Sequence, residues 1–312
     1  MSKKVLVTGA AGFLGSNLCK RLVADGFQVI GVDNFYTGSK DNLAELANCN
    51  NFSLHTHDII QPIDIACDWI FNFACPASPP HYQKDPIFTT KTNVLGSLNM
   101  LELARKNSAR IMQASTSEVY GNPLQHPQTE DYWGNVHTIG PRSCYDEGKR
   151  VVESLFFDYK RMYNTDIKVI RIFNTYGPMM DPKDGRVVSN FIMQALQGKP
   201  ITLYGTGNQT RSFCYVDDLI DGIIAMMHTD ASITGPINLG NPDEFTLKEL
   251  VSELEHVLGR TLPVITMPLP EDDPAKRRPD ITRAQQVLGW QPKINLAQGL
   301  KKTITYFERF AS

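Results

Sequence analysis

The chain has 312 residues, of which 42% are hydrophobic and 9% aromatic, with 31 basic against 33 acidic side chains. That length suits one large α/β domain with an appendage, or two domains sharing a cleft. The near balance of charge excludes a field that would gather nucleic acid or anionic lipid, so any phosphate-binding cations act locally.

Residues 4–9, KVLVTG, are a short β-branched run closed by glycine; 16–26 read as a helix ending at Gly26; 28–33, QVIGVD, read as a second strand. These three make a βαβ unit. Further strands are expected at 52–57, 69–74, 109–115, 166–174 and near 235–240, with helices at 91–106 and 143–163. Such alternation predicts an α/β fold with a doubly wound parallel sheet, Rossmann-like, over 1–174, with a strand returning near 235–240. From about 175 to 312 the texture turns to Gly, Pro and charge, as in YGPMMDPKDGR and PLPEDDPAKRRPDI. A smaller region of irregular segments and short helices covering the sheet's edge is expected there. Cys19, Cys49, Cys67, Cys75, Cys144 and Cys214 form no CxxC pair and no metal-like cluster. Free thiols in a reducing compartment are expected, with no disulfide and no metal. The first apolar run is too short to span a bilayer and no cleavage site follows it, which predicts a cytoplasmic protein without a membrane partner.

In TGAAGFLG, Gly9, Gly12 and Gly15 follow a strand and open a helix. Glycine permits the tight turn and lets a pyrophosphate approach the helix N-terminus, whose free N–H groups and dipole favour anionic oxygens. Asp33 ends the second strand, where a carboxylate can accept hydrogen bonds from both hydroxyls of an adenosine ribose. It would repel a 2′-phosphate, and no arginine follows in DNFYTGSK, so NAD is expected rather than NADP.

SCYDEGKRVVES places Tyr145 and Lys149 four residues apart on one helix face. A phenol with a pKa of about 10 is a poor base at neutral pH, but an ammonium and a positively charged nicotinamide both favour the tyrosinate. Taken in order, the glycine turn, Asp33, STSE at 115–118, Tyr145 and Lys149 resemble the extended short-chain dehydrogenase/reductase family, which acts on nucleotide sugars. The resemblance implies that Thr116 helps hold the reacting hydroxyl, Tyr145 is the base, and Lys149 tunes it and contacts the nicotinamide ribose. It extends the cofactor shell to Phe13, Leu14, Asn34, Phe35, Thr37, Gly38, Asp58, Ile59, Phe73, Ala74, Cys75 and Thr92.

Longer stretches, ACPASPPHYQKDP, KTNVLGSLNMLELA, ASTSEVYGNP, RIFNTYGP, GRVVSNFIMQAL and TRSFCYVDDL, are similar to the UDP-glucuronic acid decarboxylase branch. Departures from its pattern are Met179, where the branch commonly has arginine, Cys75 for serine, and His137 for asparagine. Once a 4-hydroxyl is oxidised, the sugar can lose water, lose CO₂ or be reduced on its other face. The family's 4,6-dehydratases carry an aspartic acid at the position of Ser117 to protonate the departing 6-hydroxyl, and a serine is too weak an acid for that task. Decarboxylation needs no such acid. The resemblance further implies that Glu118, with Arg277 (Arg278 is adjacent in register), handles water or a proton near carbon 5. By the same resemblance Asn174, Arg186 and Arg211 hold the UDP-sugar and Lys91 approaches its carboxylate; Tyr204 either stacks near the uracil or serves packing. The helices at 91–106 and 143–163 carry more apolar residues than one stripe requires (Val94, Leu98, Leu101; Val151, Val152, Leu155, Phe156, Phe157, Met162); these are either core or, as the resemblance implies, a four-helix homodimer interface. The rival readings are a 4,6-dehydratase or 4-epimerase of the same fold, and an NAD-binding sensor or scaffold without catalysis.

Overall fold

A computed structural model describes residues 2–268 and 276–311. The proline- and charge-rich stretch 269–275, expected to be irregular, lies outside the described residues. Strands β1 (Lys4–Thr8), β2 (Gln28–Asp33), β3 (Phe52–Thr56), β4 (Trp69–Asn72), β5 (Arg110–Thr116) and β6 (Ile167–Ile172) join Ile237–Leu239 in one seven-stranded sheet. From one edge the order is β3, β2, β1, β4, β5, β6, then Ile237–Leu239, and every pairing is parallel. The inner strands read KVLVT, WIFN and IKVIRI and are almost wholly buried, as a parallel sheet covered on both faces requires. Strand order reverses between β1 and β4, which opens a crevice at the carboxyl ends of the strands.

Alternation along β1 divides the core. Val5 and Val7 face one apolar layer with Leu18, Phe71 and the C-terminal helices, while Leu6 joins Ile70, Leu101, Val152 and Phe156 on the other. Leu101, Val152 and Phe156, counted above among the surplus apolar residues, are therefore fully buried core. Val151 and Met162 remain exposed, as does Leu95.

The helix expected over 91–106 begins earlier and is broken. Pro86–Lys91 starts it, with Pro86 in the first turn and the Asp85 side chain accepting the Phe88 N–H at 2.9 Å; a π-helical turn spans Thr92–Gly96; Ser97–Asn107 continues it. The extra residue in the π-turn turns Thr92 and Asn93 inward, both buried. Ser143–Tyr163 matches the expectation and stops at Asn164 in the left-handed conformation (φ 54°). The C-terminal part is more regular than its Gly/Pro texture suggests. Val216–Met227, Leu247–Leu258 and Leu296–Phe307 are helices of 12 residues each, the last two started by capping boxes. The first of them is tied to the opening helix Phe13–Ala24 by Arg21 and Asp221 at 2.6 Å.

Candidate active site

A cavity of about 1820 Å³ lies at the carboxyl ends of the strands. Gly9 leaves β1, Asp33 ends β2, Asp58 follows β3, Phe73 to Cys75 follow β4, Thr116 ends β5 and Asn174 follows β6, so the topology alone gathers residues 165 positions apart (174 − 9).

At one end Gly9 adopts a left-handed conformation (φ +68°) and its carbonyl accepts the Gly12 N–H at 3.1 Å. A Cβ on Gly15 would lie 2.0 Å from the Gly9 oxygen, so no other residue fits there. Gly12, Phe13, Leu14 and Gly15 line the cavity at a helix N-terminus that no side chain caps, a cradle suited to phosphate oxygens. The Asp33 carboxylate accepts the Ala11 N–H at 2.8 Å and the Phe35 N–H at 2.7 Å, which ties the glycine turn to the end of β2. Burial pushes this carboxyl up and the two bonds pull it back; each oxygen keeps a further lone pair for a ribose hydroxyl. Asn34, Thr37, Asp58, Ile59, Phe73, Ala74, Cys75 and Thr92 also line the cavity. Phe35 and Gly38 do not: Phe35 sits in the turn beneath the Lys40 ammonium, and Gly38 packs so closely that a Cβ would meet Ala11 at 2.9 Å. They brace the turn from outside. A nicotinamide dinucleotide fits this half: a Cβ on Gly9 or Gly15 would meet backbone, so the two glycines allow the tight turn that leaves the uncapped helix N-terminus open to a pyrophosphate.

In the middle, Tyr145 and Lys149 are buried on one face of Ser143–Tyr163, with the ammonium 5.7 Å from the Tyr145 ring centroid. The Lys149 Nζ donates to the Ala114 carbonyl at 3.0 Å. Burial pushes the Tyr145 phenol up, and the Thr116 hydroxyl favours its anion. Burial also lowers Lys149. Tyr82, which lines the same cavity, stacks on Tyr145 with centroids 5.1 Å apart and planes 8° from parallel.

Beside this pair Glu118 accepts from Arg142 at 2.6 Å and from Arg277 at 3.3 Å. Arg277 also donates to the Ser117 and Gly121 carbonyls and is 2% exposed. Burial alone would raise the Glu118 carboxyl, but the guanidiniums of Arg277 and Arg142 outweigh it and hold it below its usual range. Asp146, next to Tyr145, is pushed up to about 7 by burial and by the Glu118 charge. Arg278, the neighbour in register, points its backbone N–H at Gln128 and does not line the cavity.

At the far end Asn174, Arg186, Tyr204 and Arg211 line the cavity. Arg186 is held by the Asp184 carboxylate, and Tyr204 is 42% exposed, half open for a stacking partner. Lys91 is the exception. It is exposed and absent from the cavity wall, because a step of about 100° around the helix separates it from inward-facing Thr92. His137 is exposed on a loop away from the cavity, while Met179 lines it in a left-handed conformation (φ 70°). Arg142, Tyr82 and Asp184 were not anticipated. Arg142 stands three residues before Tyr145, where the helix start brings it beside Glu118, and that spacing was the available signal.

A family model described as the NAD dependent epimerase/dehydratase family matches residues 5–240. UDP-glucuronic acid decarboxylase 4 of Arabidopsis thaliana is 53% identical over 98% of this chain and 69% of its own length. UDP-glucuronic acid decarboxylase 1 of Danio rerio is 50% identical over 98% of this chain and 73% of its own. Among solved structures, a UDP-glucuronic acid 4-epimerase from Bacillus cereus, in complex with UDP-glucuronic acid and NAD, superposes with a TM-score of 0.89 at 29% identity, covering 98% of this chain and 99% of that one. With a glycine cradle, Asp33 and the Tyr145–Lys149 pair on one doubly wound sheet, and a family match across residues 5–240, the chain belongs to the NAD-dependent epimerase/dehydratase family.

Proposed function

We propose that this protein decarboxylates UDP-glucuronate to UDP-xylose. Bound NAD supplies the oxidant for carbon 4 and returns the electrons after CO₂ has left. Tyr145 takes the proton of the 4-hydroxyl, with Thr116 holding that hydroxyl and the Lys149 ammonium, 5.7 Å from the Tyr145 ring centroid, supplying a positive charge that favours the tyrosinate. The new ketone makes the carboxylate on carbon 5 a β-keto acid. The carbon–carbon bond to the carboxylate breaks, CO₂ departs, and the electron pair forms an enolate whose oxygen accepts a hydrogen bond from protonated Tyr145. Glu118 and Arg277 hold the water or proton that restores carbon 5. Asn174, Arg186, Arg211 and Tyr204 hold the nucleotide.

One observation carries this reading: beside Thr116 stands the Ser117 hydroxyl, and the neighbouring Glu118 is kept ionised by two guanidiniums. A dehydratase needs a carboxylic acid able to give a proton to the leaving hydroxyl, and neither Ser117 nor ionised Glu118 supplies one. The relatives of about 50% identity support the same choice. A second reading, 4-epimerisation of UDP-glucuronate, is favoured by the fold match to an epimerase of that sugar. Release of labelled CO₂ from carboxyl-labelled UDP-glucuronate separates the two, since an epimerase releases none.

Exposed Leu95, Val151, Met162 and Tyr163 on the paired helices support a homodimer through a four-helix interface. All six cysteines are free, which fits a reducing, cytoplasmic location, and no described helix is long and apolar enough to cross a membrane.

A further inference from the structure

Tyr145 and Lys149 are the first two members of a longer stripe. Glu153 stands four residues further along Ser143–Tyr163, so the three side chains share one helix face. They meet three consecutive residues at the end of β5: Tyr145 meets the Thr116 hydroxyl, Lys149 meets the Ala114 carbonyl at 3.0 Å, and Glu153 accepts the Ser115 hydroxyl at 2.5 Å. Behind Glu153 lies Arg171, which pairs with Ser115 in the β5–β6 register. Its Nε donates to Glu153 Oε1 at 3.0 Å and its Nη2 to Oε2 at 2.8 Å. Its Nη1 donates to the Tyr120 hydroxyl and the Glu130 carbonyl, both at 3.0 Å. Both members of the pair are 12% exposed. A buried ion pair adds little to stability compared with apolar packing of the same volume, but one whose hydrogen bonds are all made fixes geometry.

We propose that Glu153, anchored by Arg171, is a positioning residue: through Ser115 it fixes the register of the Tyr145 helix against the end of β5. Without it this helix face keeps Lys149 on Ala114 and Tyr145 on Thr116 beside the packing of Val152 and Phe156, and the Tyr145 phenol loses one of the ties that set its distance from Thr116. This rests on the reading of Tyr145 as the base.

The test uses Glu153→Gln, which preserves shape and removes the charge that Arg171 grips, Ser115→Ala, which removes the other half of the contact, the double variant, and Tyr145→Phe for reference. Turnover of UDP-glucuronate, KM and NAD affinity are measured for each, with melting temperature as a check on folding. Each single variant is expected to lower kcat by about 10-fold to 10²-fold while KM and NAD affinity stay within about twofold. The double variant is expected to fall no further than the worse single one, because both break the same Arg171–Glu153–Ser115 chain. Unchanged kcat in both single variants, or a fall that merely tracks lost NAD affinity and melting temperature, would overturn the proposal. Native-like turnover in Tyr145→Phe would remove the base itself, and with it the reason for the clamp.

Discussion

Arg142 and Glu118 meet at 2.6 Å, 24 residues apart in sequence, on the wall of the cavity where Arg277 approaches the same carboxylate oxygen at 3.3 Å. Two cations on one partly buried carboxylate keep it ionised against the cost of burial. Arg142→Met removes one of them. The Glu118 carboxyl then rises, and activity that needs its ionised form is lost at a higher pH than in the native protein. The acid limb of the kcat profile is therefore expected to move upward. An acid limb at the native position would show that Arg142 does not tune Glu118.

Tyr145→Phe keeps the ring that stacks on Tyr82 and removes only the proton site. NAD and UDP-sugar are expected to bind with nearly native affinity, while turnover falls on the order of 10²-fold or more. Near-native turnover would exclude Tyr145 from the chemistry.

Asp33 carries two duties, since its carboxylate ties Ala11 to Phe35 as well as facing the cavity. Asp33→Ala is expected to weaken NAD and to relax discrimination against NADP, because the ribose partner and the charge that repels a 2′-phosphate disappear together. Titration of each dinucleotide measures both effects. A native protein that already prefers NADP would contradict the role given to this residue.

Asp146 is pushed up to about 7 by burial and the Glu118 charge, so between its ordinary carboxyl range and neutrality the folded protein holds a proton that the unfolded chain releases. Its stabilising contribution is present at low pH and is lost as pH rises through about 7. Asp146→Asn removes that loss. The melting temperature of the variant relative to the native protein is expected to climb between pH 5 and pH 8, and a difference independent of pH would refute the assignment.

The sheet was legible in the sequence because a parallel strand buried on both faces has to be continuously apolar, as KVLVT and WIFN are, and because glycine turns punctuate it. The cofactor half was legible for the same reason: Gly9, Gly15 and Asp33 answer to local backbone geometry. The start at Pro86 was missed although Asp85–Pro86 is a capping signal, since the apolar pattern weakens there. The π-turn at Thr92–Gly96 left no mark in the periodicity. Lys91 was placed in the site by resemblance, and a single step around the helix takes it out. Arg142 and Glu153 were hidden for a different reason. Their partners Glu118 and Ser115 are 24 and 38 residues away, and only the packing of the helix on β5 brings them together.

The product formed from UDP-glucuronate, identified by mass spectrometry after incubation of the purified protein with NAD, separates decarboxylation from epimerisation and dehydration. A sugar nucleotide lighter than the substrate by one CO₂, with reduced nicotinamide staying far below one equivalent per product, is the expected result, and dTDP-glucose should remain unchanged. A product of the same mass as UDP-glucuronate, or dehydration of dTDP-glucose with no action on UDP-glucuronate, would contradict decarboxylation.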